Sequence, residues 1–249
     1  MTGAGPGVAI RIDDLHKRFG PLVVLDGVSF DVARGATTSI IGPSGSGKSV
    51  LLKHIVGLLR PDAGHVWVGD IDMAAATEAQ KQSVRKRFGM LFQGGALFED
   101  LSAGDNVVFP LRYHTSLSAS ERRRVAEEKL ALVDLPDLYD RPTPALSGGQ
   151  RKRVALARAI VLEPEVVLFD EPNSGLDPLT SSTIDELILR MKDALGITFL
   201  VITHDIVQAL RISDTVGMLW KGHLVAYDTP AALSASDDPV VRAFLERYV

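Results

Sequence analysis

At 249 residues, with 46% hydrophobic and 23% charged side chains, the sequence can bury one large α/β core or two smaller ones. A formal net charge of −4 leaves no electrostatic footprint for nucleic acid, and the lack of cysteine excludes disulfides and thiolate metal sites and fits a reducing compartment. No apolar run approaches the roughly 18 residues needed to span a bilayer, and the N-terminal MTGAGPG, without a basic-then-apolar pattern, reads as a flexible tail rather than a signal peptide.

Short β-rich runs open the chain at Val8–Ile12, Ser29–Val32 and Thr37–Ile41. A helix carrying Leu51, Ile55 and Leu58 at helical spacing follows and is expected to stop at Pro61. Strands are predicted again at Val66–Val68 and Gly89–Phe92. From about Gly94 to Leu162 the β signal disappears. Within that stretch Ser118-Ala-Ser-Glu121 reads as a capping box, followed by Ala126, Leu130 and Val133 along one helical face. Strands return at Val166–Phe169, Thr198–Thr203, Val216–Trp220 and Leu224–Tyr227, and a final helix from about Pro239 to Tyr248 would align Val240, Phe244 and Arg247. No repeat is present. The alternation predicts an α/β fold, a mostly parallel sheet covered by helices, with a helical insertion.

Gly42-Pro43-Ser44-Gly45-Ser46-Gly47-Lys48-Ser49 matches the phosphate-loop pattern G-x-x-x-x-G-K-[ST], between a predicted strand and an amphipathic helix. Glycines let successive N–H groups turn toward phosphate oxygens, and the helix adds its positive N-terminal dipole. Lys48 supplies charge to the β- and γ-phosphates of ATP, and the Ser49 hydroxyl can ligate Mg²⁺. Val166-Val-Leu-Phe-Asp170-Glu171 is a hydrophobic strand that ends in two acids, where ligands bind in parallel sheets. Asp170 is placed to hold Mg²⁺ through water and Glu171 to act as general base; taken alone, the pair reads as a solvated turn before Pro172. Ser147, Gly148 and Gly149, at the start of an Arg- and Ala-rich helix, form a second anion site or a plain N-cap.

Leu146-Ser-Gly-Gly-Gln150 ahead of the acidic strand, with a phosphate loop upstream, resembles the nucleotide-binding subunit of ABC transporters from about Val8 to Tyr227. The resemblance implies a RecA-like phosphate-loop core over about 8–93 and 163–230, an antiparallel β subdomain, a helical subdomain over about 94–162, and a helical tail over 231–249. It implies that Phe19 stacks on adenine, though core packing is its other reading. It further implies that Gln93 senses Mg²⁺, that His204 contacts the γ-phosphate, and that Ser174-Gly-Leu-Asp177 crosses between protomers. The nucleotide contacts then run from Gly42 through Val50 and include Ser147–Gln150. In such a family a second copy completes each site, so an ATP-dependent head-to-tail homodimer is expected.

The run Gly89-Met-Leu-Phe-Gln93-Gly-Gly-Ala-Leu-Phe98 with Asn106-Val-Val-Phe109, and the tail Asp237-Asp-Pro-Val-Val-Arg-Ala-Phe244, are similar to the Mla and Mce-type lipid transport ATPases. Gln150, where those often carry methionine, and Asn173, where threonine is commoner, depart from that pattern. The subgroup implies lipid transport, a membrane permease docking near Gln93–Phe109, an Mce-type lipid-binding partner and a location on the cytoplasmic face of the membrane, peripheral through the permease. An importer or exporter of another solute, and a soluble non-transport ABC ATPase, are the alternatives.

Overall fold

The computed structural model describes residues 3–5 and 7–248. Met1, Thr2 and Pro6 of the expected flexible tail lie outside the described residues, as do Val249 and the side chains of Arg247 and Tyr248. Ala4 corrects that expectation: it is buried, and its N–H donates to the Gly69 carbonyl at 2.8 Å.

In chain order the elements are β1 (Val8–Phe19), β2 (Leu22–Ala33), β3 (Thr37–Ile41), α1 (Lys48–Ile55), β4 (Ala63–Val68), β5 (Ile71–Asp72), α2 (Glu78–Arg85) and β6 (Phe88–Leu91). There follow α3 (Ala103–His114), α4 (Ala119–Leu132), a short 3₁₀ turn (Thr143–Ala145), α5 (Gly148–Ile160), β7 (Val166–Asp170) and α6 (Pro178–Leu195). The chain closes with β8 (Thr198–Thr203), α7 (Ile206–Ile212), β9 (Thr215–Trp220), β10 (His223–Asp228), α8 (Pro230–Ser234) and α9 (Pro239–Tyr248). Two compact units result, one from the segments up to Arg85 and from Lys192 onward, the other from Lys86–Met191.

In the first unit β3 pairs in parallel with both β8 and β9, and every residue of β3 and β8 is buried. Strands covered on both faces need no alternation of apolar and polar residues, which is why Thr198–Thr203 reads as a continuous run. β10 pairs antiparallel with β9. A separate antiparallel sheet has the order β2-β1-β4-β5. β1 outlasts its expected end at Ile12 because register shifts, with Asp14 at φ 47°, carry the pairing past the polar residues to Phe19.

α1 ends earlier than expected. Gly57 adopts φ 68°, its N–H donates to the His54 carbonyl and that of Leu58 to the Lys53 carbonyl, a Schellman ending. Leu58 therefore leaves the helical face and is exposed. α9 forms where predicted and buries Val241 and Phe244 against Ile41, Ile206, Met218 and Leu233; Val240 is only partly buried.

In the second unit β6 and β7 are parallel neighbours, and α3, α4 and α5 pack together. The Ser118 capping box is present, and Ala126, Leu130 and Val133 are buried as the spacing requires. Buried Asn106 accepts from the Phe98 N–H and donates to the carbonyls of Phe98 and Ser102 and to Thr143 Oγ1, so it fixes the loop before α3. α6 buries Ile184, Leu187, Ile188 and Met191.

Candidate functional site

The phosphate loop joins the end of β3 to α1, as the sequence predicts. Gly42, Gly45 and Gly47 have φ of 152°, 79° and 105°, which side-chain-bearing residues rarely adopt. Gly47 stands at the N-cap of α1, and Leu51 is the first residue of the helix to donate to a carbonyl four back, that of Gly47, at 2.8 Å. The N–H groups of Ser49 and Val50 have no such carbonyl one turn earlier, the arrangement that attracts an anion. Lys48 is buried and curls back, with Nζ donating to the carbonyls of Gly42 at 2.7 Å and Pro43 at 3.0 Å. Ser46 Oγ is buried without a hydrogen-bond partner, and Ser44 and Ser49 are exposed. An orphaned hydroxyl, a buried ammonium and an uncapped helix start fit a polyphosphate.

Elsewhere in the same unit, Phe19 ends β1 with 46% of its surface exposed, and Lys17 Nζ lies 5.5 Å from its ring centroid. That exposure disfavours the core-packing reading. His204 follows β8 and is exposed, just ahead of Asp205, whose carboxylate caps α7 by accepting from the Gln208 N–H. His54 is buried with Nδ1 2.7 Å from the Val50 carbonyl, and burial pushes its pKa down.

In the second unit Asp170 ends β7 and Glu171 follows it, both half-buried. Glu171 holds φ 52°, a left-handed conformation that costs a non-glycine residue about 1–2 kcal/mol. Gln93 is exposed two residues beyond β6, and its Nε2 donates to Ser174 Oγ at 3.2 Å. Ser147 caps α5 in a reciprocal capping box: the Gln150 N–H donates to Ser147 Oγ, and the Ser147 N–H to Gln150 Oε1. A methionine at 150 could not accept that second bond. Gly148 and Gly149 make the first turn; a Cβ at Gly149 would stand 2.5 Å from Thr180 Cγ2. Asp177 accepts from the N–H groups of Leu179 and Thr180 and from Thr180 Oγ1, so it caps α6, and these bonds, the hydroxyl's first, lower its pKa.

Sequence reasoning missed two buried polar groups here. Asn173 Nδ2 donates to Asp185 Oδ1 at 3.0 Å, and Lys152 is buried with Nζ directed at the carbonyls of Gln93 and Glu171. Lys152 sits in an Arg-Lys-Arg run that looks like a solvated face. Its spacing from buried Gly149, Leu156 and Ala159, three, four and seven positions away, was the available signal.

A strand–glycine loop–helix unit with a buried lysine defines a phosphate-loop nucleotide-binding protein. The model of the ABC transporter family matches residues 25–174. The probable ribonucleotide transport ATP-binding protein mkl of Mycobacterium leprae is 42% identical over 239 residues, 96% of this chain and 69% of that protein. The intermembrane phospholipid transport system ATP-binding protein MlaF of Escherichia coli K12 is 42% identical over 237 residues, 95% of this chain and 88% of its own. Among solved structures, cbiO1 from Clostridium perfringens, part of the cbiONQ transporter complex, superposes with a TM-score of 0.85 at 31% identity, covering 97% of this chain and 96% of that one. The dimeric cassette MJ0796 in a post-hydrolysis state with ADP and Pi gives 0.80 at 31% identity, covering 89% and 98%. The chain belongs to the ABC transporter family and is an ATP-hydrolysing cassette.

A Cβ at Gly42 would lie 2.2 Å from the Leu219 carbonyl oxygen and 2.9 Å from Ser46 Oγ. Gly42→Ala is therefore expected to lose about 2 kcal/mol of stability, a fall of roughly 5 °C in melting temperature. Calorimetric scanning checks this, and an unchanged melting temperature would refute the geometry assigned to the loop.

Proposed function

We propose that this chain powers lipid movement between membranes as the ATPase subunit of an Mla/Mce-type transporter. The observation that carries the reading is the 42% identity with MlaF along 95% of the chain. Among the described residues no helix is long and apolar enough to cross a membrane; in this reading the work of hydrolysis passes to a partner that is embedded there. The surface from Gln93 to Phe109, where the tilted rings of Phe98 and Phe109 lie 4.4 Å apart between centroids and Phe109 lies 5.0 Å from the ring of Tyr113, is the proposed seat of that permease. The protein would then sit on the cytoplasmic face of the membrane, with an Mce-type lipid-binding protein in the same assembly.

In the proposed mechanism Phe19 stacks on adenine and the groups from Gly42 to Val50 hold the phosphates, with Lys48 on the β- and γ-phosphates. Glu171 takes the proton of the attacking water, Gln93 helps orient that water, and His204 steadies the γ-phosphate. Mg²⁺ suits the available donors, which are oxygens: the exposed Ser49 hydroxyl, the Asp170 carboxylate and the Gln93 amide. When bound, Mg²⁺ supplies positive charge to the phosphate oxygens. Ser147, Gly148, Gly149 and Gln150 of one copy, with Asp177 from the turn before α6, are proposed to close over the phosphate loop of a second copy and exclude water. The dimeric state of MJ0796 and the single copy of each motif per chain support that dimer.

The equal identity with mkl favours one further reading, in which the cargo is a ribonucleotide.

Glu171→Gln is expected to keep ATP binding, slow hydrolysis by roughly 100-fold or more, and accumulate a dimer in sizing chromatography with light scattering. A monomer at saturating Mg-ATP, with the co-purified membrane partner present, would overturn the composite site. For the cargo, the complex isolated from native membrane in mild detergent is expected to carry phospholipid and to show ATPase stimulation by phospholipid but not by ribonucleotides. Stimulation by ribonucleotides alone would transfer the assignment to the second reading.

A further inference from the structure

Lys152 lies two positions beyond Gln150 on α5, and its side chain is buried. An ammonium has three donors and no acceptor, so it is retained in such a place only by oxygens. Nζ donates to the backbone carbonyl of Gln93 and, at 3.3 Å, to the backbone carbonyl of Glu171. These acceptors lie in the loop after β6 and the turn after β7, strands that run side by side. Ser174 completes a ring: its N–H donates to the Glu171 carbonyl at 3.2 Å, and its hydroxyl accepts from Gln93 Nε2 at 3.2 Å. Burial pushes the ammonium pKa below its usual value, while the charges of Glu171 and then Asp170 pull the other way.

The consequence follows from where the ring is fastened. Glu171 keeps its left-handed backbone without the help of a glycine, so its carboxylate direction depends on what holds its carbonyl. Gln93 is exposed, and its backbone is tied at its carbonyl to the same ammonium. The ammonium itself rides on the helix capped by Ser147.

We propose that Lys152 is a positioning residue for ATP hydrolysis, fixing the glutamine loop and the Glu171 turn to each other and to the helix that begins at the Ser147 cap. It acts through the backbone of Gln93 and Glu171. Its removal misaims the base and leaves nucleotide binding alone. The inference rests on Glu171 serving as that base.

The test uses the full-length chain with Lys152→Met, which keeps the apolar stem and removes the donors, and Lys152→Arg, which restores them. Turnover, KM for ATP, affinity for a fluorescent ATP analogue and melting temperature are measured for each. In Lys152→Met, kcat is expected to fall on the order of 100-fold, with KM and nucleotide affinity within about twofold of the parent. Lys152→Arg recovers part of the loss, and adding Lys152→Met to Glu171→Gln lowers the residual rate no further. If Lys152→Met does not fold, Lys152→Gln, with fewer donors and a shorter reach, is read in the same way. Parental kcat in the donor-poor variant, or a loss that multiplies in full with Glu171→Gln, overturns the proposal. Parental turnover in Glu171→Gln itself overturns the assignment of the base and this inference with it. A dead Glu171→Gln beside a normal Lys152→Met overturns this inference alone.

Discussion

The ammonium of Lys48, turned back onto the carbonyls of Gly42 and Pro43, is the interaction on which the nucleotide half-site depends. It closes the glycine loop on itself and places a buried positive charge at the start of α1, where backbone N–H groups already converge. The loop keeps that course because β3 enters it from between β8 and β9, with both faces covered. Any side chain at Gly42 would strike the Leu219 carbonyl on the neighbouring strand. Neutral carbonyls are weaker partners for an ammonium than phosphate oxygens, so the same geometry favours exchange of one set of acceptors for the other.

In the second unit α5 has the corresponding place. Its first turn presents Ser147, Gly148 and Gly149; its middle carries Lys152 onto Gln93 and Glu171; and Arg158 donates to the carbonyls of Gly95 at 2.6 Å and Ala96 at 2.8 Å. One rigid helix thus grips the glutamine loop at two points and the acidic turn at a third. Burial lowers the pKa of both cations, yet each is matched by backbone oxygens, the condition under which a charge is tolerated away from water. A family that couples hydrolysis to a membrane partner needs mechanical continuity of this kind.

Much of this was legible in the sequence, for identifiable reasons. The phosphate loop, the acidic strand end and the Ser147 cap are local motifs whose chemistry fixes residue types at short spacing. The buried strands announced themselves by unbroken apolar runs. β1 did not, because a bulge carries it through Asp13, Asp14, His16 and Lys17, which read as a loop. α2 buries only Val84, so it offered no apolar face to recognise, whereas the spacing of Ile184, Leu187, Ile188 and Met191 in α6 was there to be found. The end of α1 was misjudged because Gly57, and not Pro61, terminates it. The spacing along α5 signals that Lys152 is buried, but its partners Gln93 and Glu171, like the strained backbone of Glu171, depend on contacts distant in sequence that no local pattern encodes.

The central claim is that the chain recognises the phosphate chain of a nucleotide through Gly42–Ser49. Titration calorimetry of the purified protein with ATP, ADP and AMP tests it most directly. The account predicts one site for ATP and ADP and binding of AMP weaker by at least roughly 100-fold, because only the longer phosphate chains reach the loop and Lys48. Equal affinity for AMP, or ATP affinity unchanged by Lys48→Ala, would contradict it.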